Sequence, residues 1–311
     1  IAQRRPGGSG RFLLSGGRGA FVDPHEPLSA CDYLVAAHLD GERREARIFM
    51  AAETDRATLL GQFAERTRRQ AVVTWDPDRQ AVVAVRSQIL GALTLTRAPL
   101  RHAAPEAMLA AMIGGIRGLG IDRLAWTRAL RSWQARVILL ARMDAEGGPW
   151  PNMCDAALSD TLEKWLAPYL TGISRLSDLD AKVLSNALRD LLSWRQQQQL
   201  EALAPTHITV PSGSRLPIDY SAPDPVLALR IQEMFGATTT PAIVGGRMPL
   251  VLHLLSPAGR PAQITRDLAG FWQNSYPDVK KELQGRYPKH FWPDDPLHAA
   301  PTARAKPRRP R

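Results

Sequence analysis

Cysteine is nearly missing: the 311 residues hold two, Cys31 and Cys154. They lie far apart and form no Cys-x-x-Cys, which excludes a thiol redox pair and a zinc ribbon. So few thiols fit a reducing cytoplasm, the expected location. Long apolar runs are missing too. The longest, "PLVLHLLSPAG" from Pro249, is strand-sized and contains His253. It falls short of the roughly 18–20 residues that span a bilayer, so no membrane partner is expected. No Gly in the chain is followed by Lys. Without Gly-x-x-x-x-Gly-Lys-Ser/Thr there is no loop of amides and partnering Lys to cradle ATP phosphates. His-Glu-x-x-His and Gly-x-Ser-x-Gly are absent as well. The seven histidines are scattered at no ligand spacing. "GGSGR" and "GGRGA" read as turns, since neither leads into a helix. The residues support no catalytic or metal assignment, and whether the chain belongs to an enzyme stays open at this point. The opening "IAQRRPGGSGR" has no Met, and a cut inside a longer polypeptide is expected.

What the chain does have is positive charge. Forty Lys and Arg against 30 Asp and Glu give a net charge of +10 and a pI near 10.2. Such a balance favours a polyanionic partner. The abundance of Ala, Arg, Gly and Pro would equally follow from a GC-rich genome. The apolar fraction, 44%, is ordinary for a globular chain with a core.

Three periodic regions follow one another. Residues 1–103 read as strands: "RFLLSGGRGAFV", "DYLVAAHLDG", "REARIFMAAE", and two β-rich runs around the Asp76-Pro77-Asp78 turn. In "REARIFMAAE", Ala46, Ile48 and Met50 alternate with Arg47 and Phe49. One helix near "DRATLLGQF" interrupts them, and a small OB-like β-barrel is expected. Residues 104–204 are helical. Trp126, Leu130, Trp133, Val137 and Leu140 form one stripe. Asp160 with Glu163 suggests a capping box, and one helix is expected from about Leu179 to Leu203. Residues 205–298 form a mixed α/β domain. It has a hairpin from "THITV" and "LPIDY", a helix opened by Asp224-Pro225, a strand in "RMPLVLHLL", and a helix capped by Thr265. Residues 299–311 read as a basic, solvated tail. The fold class is therefore α+β: an N-terminal OB-like β-barrel, a helical segment and a mixed α/β C-terminal domain.

The phrases "WLAPYLTG", "LAPTHITVPSGSRLPIDY", "PVLALRIQEMFG", "PLVLHLLSPAGRPAQITRDLAGFW" and "ELQGRYPKHFWPDDPL" closely resemble the C-terminal region of bacterial HrpB-type ATP-dependent helicases, of the DExH-box class. "IAQRR", "GGRGA" and "ARIFMAA" resemble the segment after that family's helical bundle. The resemblance covers nearly the whole chain. It implies a parent that hydrolyses ATP with Mg and remodels RNA. The family's nucleotide loop, Asp-Glu-x-His box and arginine finger match no position here, so no catalytic residue carries over and no cofactor is expected in this segment.

Two readings follow. In the first, the chain is an accessory region that grips single-stranded nucleic acid, chiefly RNA. Arg4, Arg5, Arg11 and Arg18 in the opening strands, and Arg43, Arg44 and Arg47 around "DGERREAR", would contact phosphate. Lys280, Lys281, Arg286 and Lys289 would add surface charge near the C-terminus. In the second, the chain is a scaffold that braces the motor domains or docks a protein. The stretch "RYPKHFWP" has two readings of its own. Tyr287, Phe291 and Trp292 either pin an extended strap to the domain or stack bases.

Overall fold

The computed structural model describes residues 1–7, 10–40, 45–146 and 148–305. Arg43 and Arg44 lie outside the described residues. Two compact units emerge: Ile1–Leu119 with Leu170–Asp178, and Gly120–Tyr169 with Leu179–Arg311. They cut across the expected segments, because residues 104–119 go with the first unit and the remaining helices with the second.

In the first unit, strands β1 (Ala2–Arg4), β2 (Arg11–Leu14), β3 (Gly19–Phe21), β4 (Tyr33–Leu39) and β5 (Glu45–Thr54) close a barrel in the order β1-β2-β3-β5-β4. β3 and β5 run parallel, and the other pairs are antiparallel. That is an OB-like five-stranded Greek-key barrel, as the sequence led us to expect. Its core is small and tight: Ala2, Phe12, Leu34 and Ala46 are fully buried, with Ala20, Val22 and Ile48 around them. The barrel is shorter in sequence than expected. Ala2–Arg4 is too brief to show a period, yet it pairs with both β2 and β4 and takes the last open edges.

The β-rich runs beyond residue 60 are therefore excluded from the barrel. Helix α1 (Arg56–Gln62) follows the barrel instead of interrupting it. Strands β6 (Thr67–Asp76), β7 (Ala81–Leu90) and β8 (Leu93–Pro99) make a separate antiparallel sheet. Helix α2 (Pro105–Leu119) packs on it at Gly115, where a Cβ would stand 2.1 Å from Trp75 Cδ2. Only glycine admits that approach. Residues 170–178 cross the far end of β7, with Val82 N donating to Ser174 O at 2.8 Å and Leu176 N to Gln80 O at 2.9 Å.

The second unit begins with α3 (Arg128–Arg142), N-capped by Thr127, whose hydroxyl accepts from Leu130 N at 3.1 Å. Its stripe of Leu130, Trp133, Val137 and Leu140 is buried as expected. Trp126 falls just outside the helix and holds the Arg131 guanidinium 3.7 Å over its ring. Arg136, off the stripe in the sequence, is 2% exposed. It donates to the Leu200 and Ala204 carbonyls, capping a helix end from the side.

Other expectations change. Asp160 closes α4 (Asp155–Asp160), and α5 (Leu162–Trp165) starts without a side-chain cap. The single helix expected over 179–203 is two: α6 (Ala181–Arg189) and α7 (Trp194–Leu203). Ser193 and Gln196 form a reciprocal capping box between them, which turns Trp194 outward at 73% exposure.

A five-stranded sheet completes the unit, ordered β15-β14-β11-β10-β9. Strands β9 (His207–Thr209) and β10 (Arg215–Asp219) form the expected hairpin. The helix expected at Pro225 is instead strand β11 (Val226–Arg230). Apolar residues at 227, 229, 231 and 234 suit either period; Leu227 and Leu229 bury themselves by pairing β11 in parallel with β14 (Val251–Leu255). A short ladder of β12 (Ala242–Ile243) and β13 (Met248–Pro249) precedes β14, and β15 (Pro261–Thr265) pairs with it. Asp267, not Thr265, caps α8 (Leu268–Gly270), and a π-helical turn at Phe271–Ser275 leads into α9 (Tyr276–Arg286). The tail expected to be solvated from residue 299 is docked through residue 305. Thr302 is buried and its N–H donates to Gln232 O at 2.9 Å, while Phe291 N donates to Ala305 O at 2.9 Å.

Candidate nucleic-acid interface

Alternation along barrel strands decides what faces outward. Phe12, Ala20, Ala46 and Ile48 point into the core. Their neighbours Arg11, Phe21 and Arg47 therefore point out, and the register aligns them. Arg11 pairs with Phe21 across β2–β3, and Phe21 pairs with Arg47 across β3–β5. An aromatic ring sits between two guanidinium-bearing positions on adjacent strands. Two residues along β5, Phe49 is 57% exposed, with the Arg47 guanidinium 5.5 Å from its ring and the His38 ring 5.3 Å away.

The adjacent row is Leu13, Gly19 and Glu45. Gly19 leaves room for Arg5 to lie across the face: a Cβ there would be 3.0 Å from the Arg5 guanidinium and 3.2 Å from Glu45 Cγ. Glu45 faces Arg11 at 3.4 Å and Arg5 at 3.7 Å. All three side chains are well exposed, so these pairs are weak and exchangeable. A phosphate could replace the carboxylate at either arginine for little free energy.

The structure thus brings Arg5, Arg11 and Arg47 onto one face. Arg18 sits at the β2–β3 turn and donates to the Asp40 carbonyl at 3.3 Å, where β4 leads toward β5. Arg4 differs. It pairs with Phe12 at the barrel rim and is tied to Asp32 at 2.7 Å, away from the outer row. Phe21, His38 and Phe49 are the members that the sequence reading missed. Phe49 had a signal, its alternation with buried Ala46 and Ile48. Phe21 had none without the register. Met50, in the same alternation as buried Ala46 and Ile48, is 63% exposed, and register shifts in β4–β5 near His38 interrupt the alternation there.

The family model for the C-terminal region of ATP-dependent helicases of the HrpB type matches residues 165–296. A relative described as the ATP-dependent RNA helicase HrpB of Escherichia coli K12 is 42% identical over 309 residues, 98% of this chain. The chain matches the C-terminal region of the HrpB-type helicases. It spans 38% of that relative's length. Two solved structures agree. The crystal structure of the E. coli DExH-box NTPase HrpB is similar at a TM-score of 0.62 and 42% identity, over 97% of this chain and 38% of that one. A crystal structure of the E. coli DEAH/RHA helicase HrpB gives 0.55 and 38%, over 94% and 36%.

The C-terminal basic residues form a separate group on the second unit. Lys280 is bonded to Asp294, holding that carboxyl below its ordinary pKa. Lys280 and Lys281 line a shallow groove of about 520 Å³ beside Tyr276 and Gln284. Arg286 pairs with Glu282 at 3.7 Å along α9, and Lys289 is exposed in the following turn.

The aromatics of "RYPKHFWP" take the strap role. Trp292 is 7% exposed and its indole N–H donates to Tyr287 O at 3.0 Å. Phe291 meets Phe235 edge-on at 6.0 Å, and the Tyr276 hydroxyl donates to Pro293 O at 3.0 Å. Burial pushes the Tyr276 phenol well above its usual range, and burial with nearby Arg230 lowers the His290 pKa. Among the described residues, no group of three or more His, Cys, Asp and Glu side chains is placed to hold a metal ion. No helix among them is long and apolar enough to cross a membrane.

Proposed function

We propose that this region binds single-stranded nucleic acid, RNA in particular, on the outer face of β2, β3 and β5, as an accessory element of an HrpB-type helicase. The observation that carries the reading is the Arg11–Phe21–Arg47 row with exposed Phe49 beside it. Bases stack on aromatic faces regardless of sequence, and guanidinium groups engage the phosphates between them. The E. coli relative is described as an RNA helicase, which favours RNA as the ligand. In this reading ATP and Mg are used by parts of the parent outside this chain, and the region supplies grip to those motor domains.

The test is fluorescence anisotropy of the chain with a labelled single-stranded oligouridylate at several salt concentrations. Micromolar or tighter binding, weakened at least five-fold by Phe49→Ala, supports the reading. No binding at low salt overturns it.

The bracing scaffold is the second reading, and exposed Trp194 at the start of α7 favours it. Capture of separately expressed motor domains without RNA, lost in Trp194→Ala, would establish that role.

A further inference from the structure

The first unit carries a second cationic site, away from the barrel row. It lies on the sheet of β6–β8, on the face opposite α2. Trp75 meets α2 at Gly115 and pairs with Val82 on β7. The alternate β7 residues Val83 and Val85 therefore point to the other face, where Val85 pairs with Pro99. They floor a cleft of about 800 Å³ whose rim holds Arg79, Arg97 and Arg175.

Three separate stretches supply these arginines: the β6–β7 turn, strand β8 and the crossing segment 170–178. All three residues are exposed. The side chains of Arg97 and Arg175 make no ion pair or hydrogen bond with any described residue. The acid on the rim, Asp76, is occupied by its own turn. Its Oδ1 accepts from Asp78 N and Arg79 N, each at 3.1 Å, and its Oδ2 lies 3.6 Å from Arg79 Nε. An apolar floor beneath unpaired guanidinium groups focuses their field on whatever enters.

We infer that this cleft is a phosphate-backbone site for single-stranded nucleic acid. Two features favour that ligand over an acidic peptide. The β7 edge here is already filled, since Val82, Ala84 and Gln80 pair with Ser174, Leu100 and Leu176. An extended peptide therefore has little strand edge to add to, and its main attachment mode is blocked. The lining also holds no aromatic ring, so the site grips phosphates and leaves the bases unread. The choice of ligand rests on the nucleic-acid reading above, while the site itself rests on different residues.

The test titrates the full chain with a fluorescein-labelled 20-residue oligouridylate across a salt series. Arg97→Glu with Arg175→Glu is compared with Phe49→Ala. Both arginines are exposed, and an unchanged thermal midpoint will show that the fold is intact; the pair Arg97→Gln with Arg175→Gln gives the milder check. Loss of two phosphate contacts should weaken binding at least ten-fold and flatten the salt slope by about 1.4. If the charge-reversed pair binds with wild-type affinity and slope while Phe49→Ala weakens binding, the cleft inference fails and the barrel reading stands. If only the arginine pair weakens binding, the cleft stands and the barrel reading fails. If wild type ignores RNA but binds a labelled Asp/Glu-rich decapeptide, and the arginine pair abolishes that, the ligand is an acidic peptide and the inference is overturned.

Discussion

Two parts of the chain place aromatic rings beside basic residues in sequence and use them in opposite ways. On the barrel, Phe21 and Phe49 stand on outward positions next to Arg11 and Arg47, with Phe49 more than half exposed. In the C-terminal unit, Phe235, Phe271, Trp272, Tyr276 and Phe291 interlock ring against ring, and Trp292 anchors the chain beyond α9. The barrel core is already filled by alanines, aliphatic side chains and one Phe, so rings on β3 and β5 have nowhere inside to go. Among the described residues the C-terminal strap belongs to no sheet that would satisfy its backbone. It is held by burying its own aromatics and by hydrogen bonds such as Tyr276 to Pro293 and Gly236 to Pro296. Composition near a ring does not reveal its task; the presence or absence of an unfilled core beneath it does.

The comparison can be broken most forcefully at Phe235, which is fully buried against three of those rings, Trp272, Tyr276 and Phe291. Phe235→Ala should cost about 3–5 kcal/mol of stability in the C-terminal unit, read by urea denaturation, with RNA affinity unchanged. Trp292→Ala should likewise lower the melting temperature and spare RNA binding; the reverse result would make Trp292 a stacking platform. On the barrel the pattern inverts. Phe49→Ala should lose about 1–3 kcal/mol of RNA affinity by anisotropy while the melting temperature stays within a degree or two.

Trp75 sharpens the contrast as a ring held by a glycine. Gly115→Ala should destabilise the first unit by about 1–3 kcal/mol, because the indole or α2 must shift.

The smallest effect is one of pH. The folded state disfavours protonated His290, so the unfolded chain takes up that proton first. Stability should be level above the ordinary histidine pKa and fall as pH drops from there toward the lowered folded value. His290→Gln should remove that part of the slope in denaturation curves measured across pH 7 to 5.

Much of the architecture was legible. The alternation in "REARIFMAAE" separated Ala46 and Ile48, which the barrel buries, from Arg47 and Phe49, which it exposes, and failed only at exposed Met50. The α3 stripe and the β9–β10 hairpin also stand, because local period and turn residues specify them. The misses share a cause. "PVLALRIQEM" suits a strand or a helix equally, and its parallel partner 25 residues away decided for the strand. Arg136 lies off the apolar stripe of α3, and its burial follows only from the C-terminal end of α7 packing against the middle of that helix. Half of the barrel row was visible as arginines, but its aromatics were not, since Phe21 gains its meaning only from the strands on either side.

By itself, then, the sequence determined the class of fold, the lack of a nucleotide loop and a surplus of positive charge, all of which are sums or short-range patterns. Tertiary structure alone decided where the barrel closes, which rings meet solvent and which arginines share a face. Those outcomes depend on pairing between residues distant in the chain, where register places each side chain inside or outside.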